Sequence, residues 1–161
     1  LPSLKAQADF IICDGPGSQT EVSRALLMWA DLAIIPCKAS MFEARALDKN
    51  TSFVRQAQAI RGGAPSAIAV LSMVGREYRL TKDMREAAGA LQLDLAETSV
   101  SLRQAYADAP GQGTFVWNMG YSAKEATKEI EQLFAELVPE AINDNVVSFD
   151  RKSATAAKAN S

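Results

Sequence analysis

The sequence predicts an α/β protein with a mostly parallel sheet that is covered by helices on both faces. Two observations support this prediction: short, continuously apolar segments recur along the chain, and stretches with helical apolar spacing lie between them. Continuous apolar runs are typical of strands buried on both faces, and their alternation with helices indicates βαβ units. The length of 161 residues suits one domain of ordinary size.

Four segments are predicted to form strands: 10–13, which ends on Asp14, 31–37, which Pro36 should stop, 66–72, and a shorter strand and turn within 93–100. The first three are apolar almost throughout, so each should be buried on both faces of the sheet.

Helices are predicted between and after these strands, at 21–29, 40–60, 81–91, 101–109 and 122–138. Most of them carry apolar residues at the i, i+3, i+4 spacing of one helix face, and Trp29, Phe42, Phe53 and Phe134 on such faces should lie in the core. Caps and breakers should set the helix ends: Thr20 at the first, the Gly-rich turn 61–65 after the second, Pro110 after the fourth, and a Ser122–Glu125 capping box at the last.

Composition and charge exclude several kinds of site. The chain has no histidine, which excludes histidine-based triads and histidine-ligated zinc. A net charge of −2 gives no overall basic signal, so DNA binding would need a local patch. Cys13 and Cys37 are far apart, and we expect both to be reduced and buried. No apolar run reaches the ~20 residues of a membrane span, and we expect a cytoplasmic protein without a membrane partner.

The two ends of the chain differ from the rest. The N-terminus has no initiator Met and reads like the end of a helix or loop, so we expect the chain to begin in the middle of a domain. From about residue 143 the apolar pattern is lost, and we expect 143–161 to be a disordered tail.

The most informative short motif is Asp14-Gly15-Pro16-Gly17, a D-x-x-G at the carboxyl end of the first predicted strand. Ligands of parallel sheets bind at such ends, and a carboxylate there can hold Mg²⁺ through water. A glycine at the fourth position lets a backbone N–H approach a terminal phosphate. The motif favours a Mg²⁺-nucleotide switch, and the alternative is that Asp14 only caps a tight turn.

Four stretches in the same order resemble the ParA-type partition ATPases, a branch of the P-loop NTPases that includes MinD-like proteins. Residues 8–18 look like the Walker B and switch II segment, and 30–47 like the next strand, its proline and the following helix. Residues 67–84 look like a strand and a basic loop, and 101–137 like the closing R-x-x-x-x-x-A…G-x-x-V segment and C-terminal helix. The resemblance covers about 8–137 and implies a Rossmann-like, P-loop NTPase-like three-layer fold.

The resemblance also implies what the protein does. Its relatives are ATPases of plasmid partition and chromosome segregation that bind ATP and Mg²⁺ and act as dimers. The implied partners are a second copy, non-specific DNA and a centromere-binding partition protein, and the implied location is cytoplasmic and nucleoid-associated. Residues 1–142 would then be the C-terminal portion of a ParA-like ATPase domain.

One family motif does not occur in this sequence. The phosphate-binding loop K-G-G-x-G-K-S/T, which normally precedes the Walker B segment on the first strand, is absent, and Lys5 is the only early lysine. That loop supplies the backbone nest and the lysine that hold the β- and γ-phosphates. We therefore expect that the chain as given neither binds ATP tightly nor hydrolyses it, and we assign no catalytic residue within it.

Four residues are carried over to the nucleotide site. Asp14 matches the Walker B carboxylate near Mg²⁺, and Gly15 and Gly17 match switch residues near the γ-phosphate. Ser72 matches a position where many relatives have an adenine-binding Asn, although serine is shorter and could equally bond its own backbone.

Five basic residues are candidates for non-specific DNA binding, as the resemblance implies for this region: Arg76, Arg79, Lys82, Arg85 and Arg103. Contacts of this kind with phosphates carry no sequence information and weaken with salt. The alternatives are a solvated charged face for the first four and, for Arg103, a salt bridge to a carboxylate such as Asp108.

Two other functions compete with a partition ATPase. One is a degenerate, non-enzymatic module that dimerises or binds DNA without nucleotide. The other is a different P-loop relative, such as a MinD-like positioning ATPase or a metabolic ligase. The polar tail argues against MinD-like membrane association, and the basic loop favours DNA over a small substrate.

Overall fold

The computed structural model describes residues 2–16, 20–38, 41–75, 85–86 and 88–140. Three strands lie in this part of the chain: β1 Leu32–Lys38, β2 Ser66–Ser72 and β3 Asp94–Leu95. The helices with described bounds are α1 Pro2–Lys5, α2 Glu21–Leu27, α3 Met41–Arg61, α4 Gln104–Gly111 and α5 Lys124–Leu137. Two 3-10 turns, Val116–Asn118 and Gly120–Ala123, join α4 to α5.

The strands form one parallel sheet in the order β1-β2-β3. β1 and β2 pair over their full length, from Leu32 opposite Ser66 to Lys38 opposite Ser72. The structure thus confirms the predicted α/β class with a parallel sheet, and it is compatible with a Rossmann-like fold. The strands predicted at 31–37 and 66–72 are confirmed to within one residue.

Among the described residues, two clusters of buried side chains form much of the core. The first surrounds β2, where Ala69 and Leu71 are fully buried against Cys37, Ala88 and Leu93. The second joins α4, the 3-10 turns and α5 through Ala109, Val116, Ala123 and Ala126. Small residues dominate both clusters, so the elements that they join approach closely.

The strand predicted at 10–13 is wrong. These residues have no regular secondary structure, and Ile12 and Phe10 are 87% and 42% exposed. A strand needs a hydrogen-bonded neighbour, and among the described residues none pairs with this segment. Cys13 is consequently exposed, whereas we expected a buried thiol; Cys37 is buried as expected.

Pro36 and Pro110 were each predicted to end an element, but each lies inside one. Pro36 is within β1, which is an edge strand of the described sheet, and edge strands tolerate a missing N–H. Pro110 is within the last turn of α4, because the hydrogen bonds there come from later donors. The Gln112 N–H donates to the Asp108 carbonyl at 3.1 Å, and the Gly113 N–H donates to the Pro110 carbonyl.

The helix caps agree with the sequence at α2 and differ at α5. The Ser23 N–H donates to Thr20 Oγ1 at 3.2 Å, as predicted. The capping box at α5 is wrong: the N-cap residue is Ala123, and Ser122 Oγ donates to the Met119 carbonyl instead. The preceding 3-10 turn, Gly120–Ala123, displaces Ser122 from the cap position.

The aromatic residues assigned to the core are less buried than predicted. Trp29 is 48% exposed because it lies beyond the end of α2. Phe53 is half-buried, with the Arg24 guanidinium 4.9 Å from its ring centroid, and Phe134 is half-buried as well. The side chain of Phe42, the tail from residue 141 and the predicted helix start at 81–84 lie outside the described residues.

Candidate functional site

The carboxyl ends of β1 and β2 lie together at one end of the sheet, which we call the carboxyl edge. Ligands of parallel α/β proteins bind at this end. Lys38 and Ser72 are the last residues of these strands and lie in register. Ser72 is half-buried. The structure thus places Ser72 at the expected edge, while its contact with adenine stays a prediction.

Directly after β2, Val74 pairs with residues 100–102. These residues lead into a second group of polar side chains around Arg103. Val74 forms a parallel bridge with Ser101. The Val74 N–H donates to the Val100 carbonyl at 3.1 Å, and the Leu102 N–H donates to the Val74 carbonyl at 3.0 Å. This ladder extends the sheet past Ser72 and fixes the backbone just before Arg103.

Glu129 of α5 collects the polar side chains of this second group. Its Oε1 accepts from Arg103 Nε at 3.0 Å, from Arg103 Nη2 at 2.6 Å and from Ser101 Oγ at 2.7 Å. Its Oε2 accepts from the Ser101 N–H at 3.2 Å, and the Tyr106 hydroxyl lies 3.0 Å from it. Residues 101–106 are therefore tied to the middle of α5 through one carboxylate.

The pKa shifts in this cluster follow from the same contacts. Burial acts to raise the pKa of Glu129, but the hydrogen bonds from Arg103 and Ser101 outweigh it and lower that pKa below its usual value. The hydrogen bond to Glu129 raises the pKa of Arg103. Burial first, and then the Glu129 charge, raise the pKa of Tyr106 well above that of a free tyrosine. Glu129 and Arg103 are charged, and Tyr106 is protonated, at neutral pH.

Arg103 is therefore paired, and its partner differs from the one suggested by the sequence. The carboxylate is Glu129, 26 residues further along the chain, and Asp108 instead accepts from Gln104 Nε2 at 2.8 Å. Glu129 was missed in the sequence because it lies at a polar position of an amphipathic helix, where a solvated carboxylate is the default.

A second carboxylate of α5 acts on the neighbouring loop. Glu136 accepts from the N–H groups of Glu97 and Thr98 at 2.7 and 2.9 Å. Burial acts to raise the Glu136 pKa, but these hydrogen bonds outweigh it and lower that pKa. Glu129 and Glu136 are seven residues apart and so lie on one face of α5. That i, i+7 spacing is the signal in the sequence that could have identified them together.

A groove of about 610 Å³ runs between this face of α5 and residues 97–99. Its lining includes Glu97, Glu129 and Glu136. We do not place a nucleotide in it, because three carboxylates would repel a triphosphate.

The loop that contains Asp14 packs on α2. A Cβ atom on Gly15 would lie 2.9 Å from Leu26 Cδ1, so the backbone of the loop approaches the helix closely. Ser23 Oγ donates to the Pro16 carbonyl at 3.4 Å, and Asp14 is exposed. Within the described residues, no backbone–backbone hydrogen bond joins this loop to Ser72 or to β1. Gly17 lies outside the described residues.

The donor set fits a weakly held magnesium ion better than a protein cage. Asp14 offers an exposed carboxylate, and the described residues contain no group of three or more His, Cys, Asp or Glu that could hold a metal. Mg²⁺ commonly uses one or two carboxylates, several waters and the substrate phosphates, so a single carboxylate is compatible with it.

Of the five basic candidates, the structure describes Arg85 and Arg103. Arg85 Nη1 lies 3.6 Å from Glu97 Oε2 in an exposed ion pair, where the Glu97 side chain is 85% exposed. Arg76, Arg79 and Lys82 lie outside the described residues. Among the contacts of the described residues, Arg103 has several short hydrogen bonds with Glu129, whereas Arg85 has a 3.6 Å ion pair with Glu97.

A comparison with known proteins finds a distant relative. The chain is 25% identical over 132 residues to the maintenance of carboxysome distribution protein A of Halothiobacillus neapolitanus (strain ATCC 23641 / c2). The match covers 81% of this chain and 61% of that protein, so the chain spans less than two thirds of its relative's length. No family model matches the chain. The similarity supports a distant relationship to proteins of the ParA/MinD type.

Among the described residues, no helix combines the length and the apolar character that crossing a bilayer requires.

Proposed function

We propose that residues 1–142 belong to the ATPase domain of a ParA-type partition protein. In this proposal the domain binds Mg-ATP at the carboxyl edge of the sheet, dimerises and then binds DNA without sequence preference. The main support is the position of Ser72 at the carboxyl end of β2, next to the ladder that leads to Arg103. The distant similarity to a ParA/MinD-type protein over most of the chain agrees with it.

The residues of this chain would have separate tasks at that site. Asp14 would hold a water of the magnesium shell. Gly15 would bring the backbone of this switch loop near the γ-phosphate, while its missing Cβ leaves space for Leu26 of α2. Ser72 would offer a hydroxyl to the base. When bound, Mg²⁺ neutralises charge on the β- and γ-phosphates. The phosphate-binding loop is not among these 161 residues, so we propose ATP binding for a protein that contains both parts.

Calorimetric titration with Mg-ATP tests this proposal. We expect the 161-residue chain to bind weakly and a full-length protein with a phosphate-binding loop to bind with micromolar affinity. In that protein, Asp14→Asn should lower Mg²⁺-dependent affinity or hydrolysis by about 10- to 100-fold. Asp9→Asn, an exposed acid five residues earlier, makes the same charge change and should have little effect.

Two outcomes would contradict the proposal. Micromolar binding of Mg-ATP by the 161 residues alone would show that the phosphate-binding loop is not needed. Equal effects of Asp14→Asn and Asp9→Asn would remove Asp14 from the magnesium site. DNA binding that is equally strong with and without Mg-ATP would instead favour the non-enzymatic module.

A second function, the positioning of a protein assembly, is favoured by the name of the relative, which refers to carboxysome distribution. The proposed machinery would be the same, and the cargo would be a protein body instead of a DNA molecule. Deleting the gene separates the two: loss of a replicon from daughter cells supports partition. Unchanged retention with a misplaced protein body supports positioning.

A further inference from the structure

Arg103 is held in place by the Glu129 carboxylate, and other hydrogen bonds hold that carboxylate in turn. Its Nε and Nη2 both donate to Glu129 Oε1, and its side chain is 35% exposed. Glu129 is 14% exposed and is fixed by the Ser101 hydroxyl and N–H and by the Tyr106 hydroxyl. The pair is thus a fixed contact rather than a mobile surface ion pair.

This arrangement lowers the positive charge that Arg103 offers to a phosphate. Strong recognition of phosphate by arginine uses two parallel N–H groups of a charged guanidinium. Two of the five N–H groups of Arg103 are bound to Glu129, and Nη1 with the second N–H of Nη2 still forms a fork. The carboxylate at 2.6 Å compensates the positive charge, so a phosphate approaching that fork would meet the negative charge of Glu129.

We infer that Glu129 withholds Arg103 from DNA, so that Arg103 contacts a phosphate only when its pair with Glu129 opens. The inference rests on the proposed DNA-binding function and concerns its regulation. Glu129 acts here as a positioning residue: it sets where the guanidinium points and how much charge it presents.

The other described candidate for DNA binding provides a contrast. Among the described residues, Arg85 pairs with Glu97 at 3.6 Å, where Glu97 is 85% exposed, and its charge also acts on Glu136. An exposed pair of this kind is weak and competes poorly with phosphate. Within the described residues, Arg85 is therefore held less firmly than Arg103 and should meet a phosphate more readily.

A four-protein comparison of DNA binding tests the inference. The proteins are the full-length wild type with Mg-ATP, Glu129→Gln, Glu131→Gln and the double variant Arg103→Gln with Glu129→Gln. Fluorescence anisotropy with one random-sequence duplex, repeated across a salt series, gives the affinity and the slope of log affinity against log salt. Thermal unfolding of each protein reports whether it is folded.

Glu129→Gln should raise DNA affinity by about 3- to 10-fold at low salt and steepen the salt slope by about 0.9, the value for one added phosphate contact. Glu131→Gln also removes one negative charge from α5, but Glu131 makes no contact with Arg103 in the described structure, so it measures the effect of net charge alone. The double variant keeps the net charge of the wild type and should bind DNA with the same affinity and slope.

Two results would overturn the inference. Equal effects of Glu129→Gln and Glu131→Gln would overturn it. Weaker binding and a shallower slope in the double variant would overturn it too, because Arg103 would then contact phosphate already in the wild type. If Glu129→Gln does not fold, the double variant, which leaves no unpaired charge, decides the question alone. Absence of DNA binding by the wild type would instead refute the proposed function.

Discussion

At the scale of single residues, Glu129 shows how a polar position on a helix surface can organise a site. Its carboxylate accepts from Ser101, Arg103 and Tyr106, which lie between the end of the sheet and the first turn of α4. Hydrogen bonds to an ionised carboxylate are worth more than neutral ones, and leaving such donors unpaired is costly. The local structure around residues 101–106 therefore depends on the ionised form of Glu129.

This dependence predicts an acid-sensitive stability. The pKa of Glu129 is lowered in the folded protein, so the unfolded state binds more protons as the pH falls. Its contribution is complete above the unfolded pKa, near 4.5, and is lost as the pH falls through the lower folded value. Glu129→Gln should cost about 1–2 kcal/mol at pH 7 and should lose less stability than the wild type below pH ~5.

Urea unfolding followed by circular dichroism at a series of pH values measures this effect. Glu131→Gln serves as the control, since Glu131 accepts none of these hydrogen bonds, and its curve should parallel that of the wild type. If Glu129→Gln and the wild type lose the same stability between pH 7 and pH 3, Glu129 does not contribute to the loss of stability at low pH. Glu136, whose pKa is also lowered, should account for part of the remaining loss.

At the scale of elements, Arg61 connects the end of α3 to the turn between α2 and β1. Its Nη1 donates to the Leu27 carbonyl at 2.9 Å and also to the Ala30 carbonyl. Its Nη2 lies 4.0 Å from Asp31 Oδ1, and the Arg61 side chain is only 20% exposed. The last carbonyls of a helix lack intrahelical donors, so Arg61 satisfies acceptors that α2 leaves open.

Removing this contact should loosen α2 from the sheet. We expect Arg61→Ala to cost about 1–2 kcal/mol, because two partly buried carbonyl groups lose a charged donor. Arg61→Lys keeps the charge but not the planar fork, so it should recover only part of the loss. Chemical denaturation gives the free energies, and hydrogen exchange should show faster exchange in residues 24–30. A lysine variant as stable as the wild type would show that the fork geometry does not matter.

The elements also show what the sequence could and could not predict. β1 and β2 were predicted to within one residue because both are continuous apolar runs and they pair with each other over their full length. The segment 10–13 has the same composition but forms no strand, since pairing depends on a neighbour that composition does not reveal. Pro36 and Pro110 were misjudged because their tolerance depends on edge position and on later donors, which are tertiary facts.

The candidate site divides in the same way. The position of Ser72 at a strand end followed from the strand prediction alone. The ion pair of Arg103 with Glu129 joins residues 26 positions apart, and no local pattern predicts such a contact. Asp14 and Gly15 were identified by their motif, and their packing on α2 appeared only with the close approach to Leu26.

At the scale of the whole molecule, the open edge of the sheet is the feature with the largest physical consequence. β1 pairs with β2 on one side, and among the described residues no strand pairs with its other side. Ile34 of β1 is 47% exposed. Ile12, which precedes β1 in the chain, is exposed as well. An unpaired edge with exposed apolar side chains is a template for association with another strand.

We therefore expect the 161-residue chain to self-associate through β1, and Ile34→Lys to weaken that association by about tenfold. The substitution removes the 47% exposed apolar side chain of Ile34 and places a charge on the open edge of the sheet. A tenfold weakening corresponds to about 1.4 kcal/mol. Sedimentation velocity over a concentration series measures the association. Ile60→Lys is the matched control, because Ile60 is 71% exposed but lies on α3, away from the strand edge. If both lysine variants reduce association equally, general surface hydrophobicity drives it, and the β1 edge has no special role.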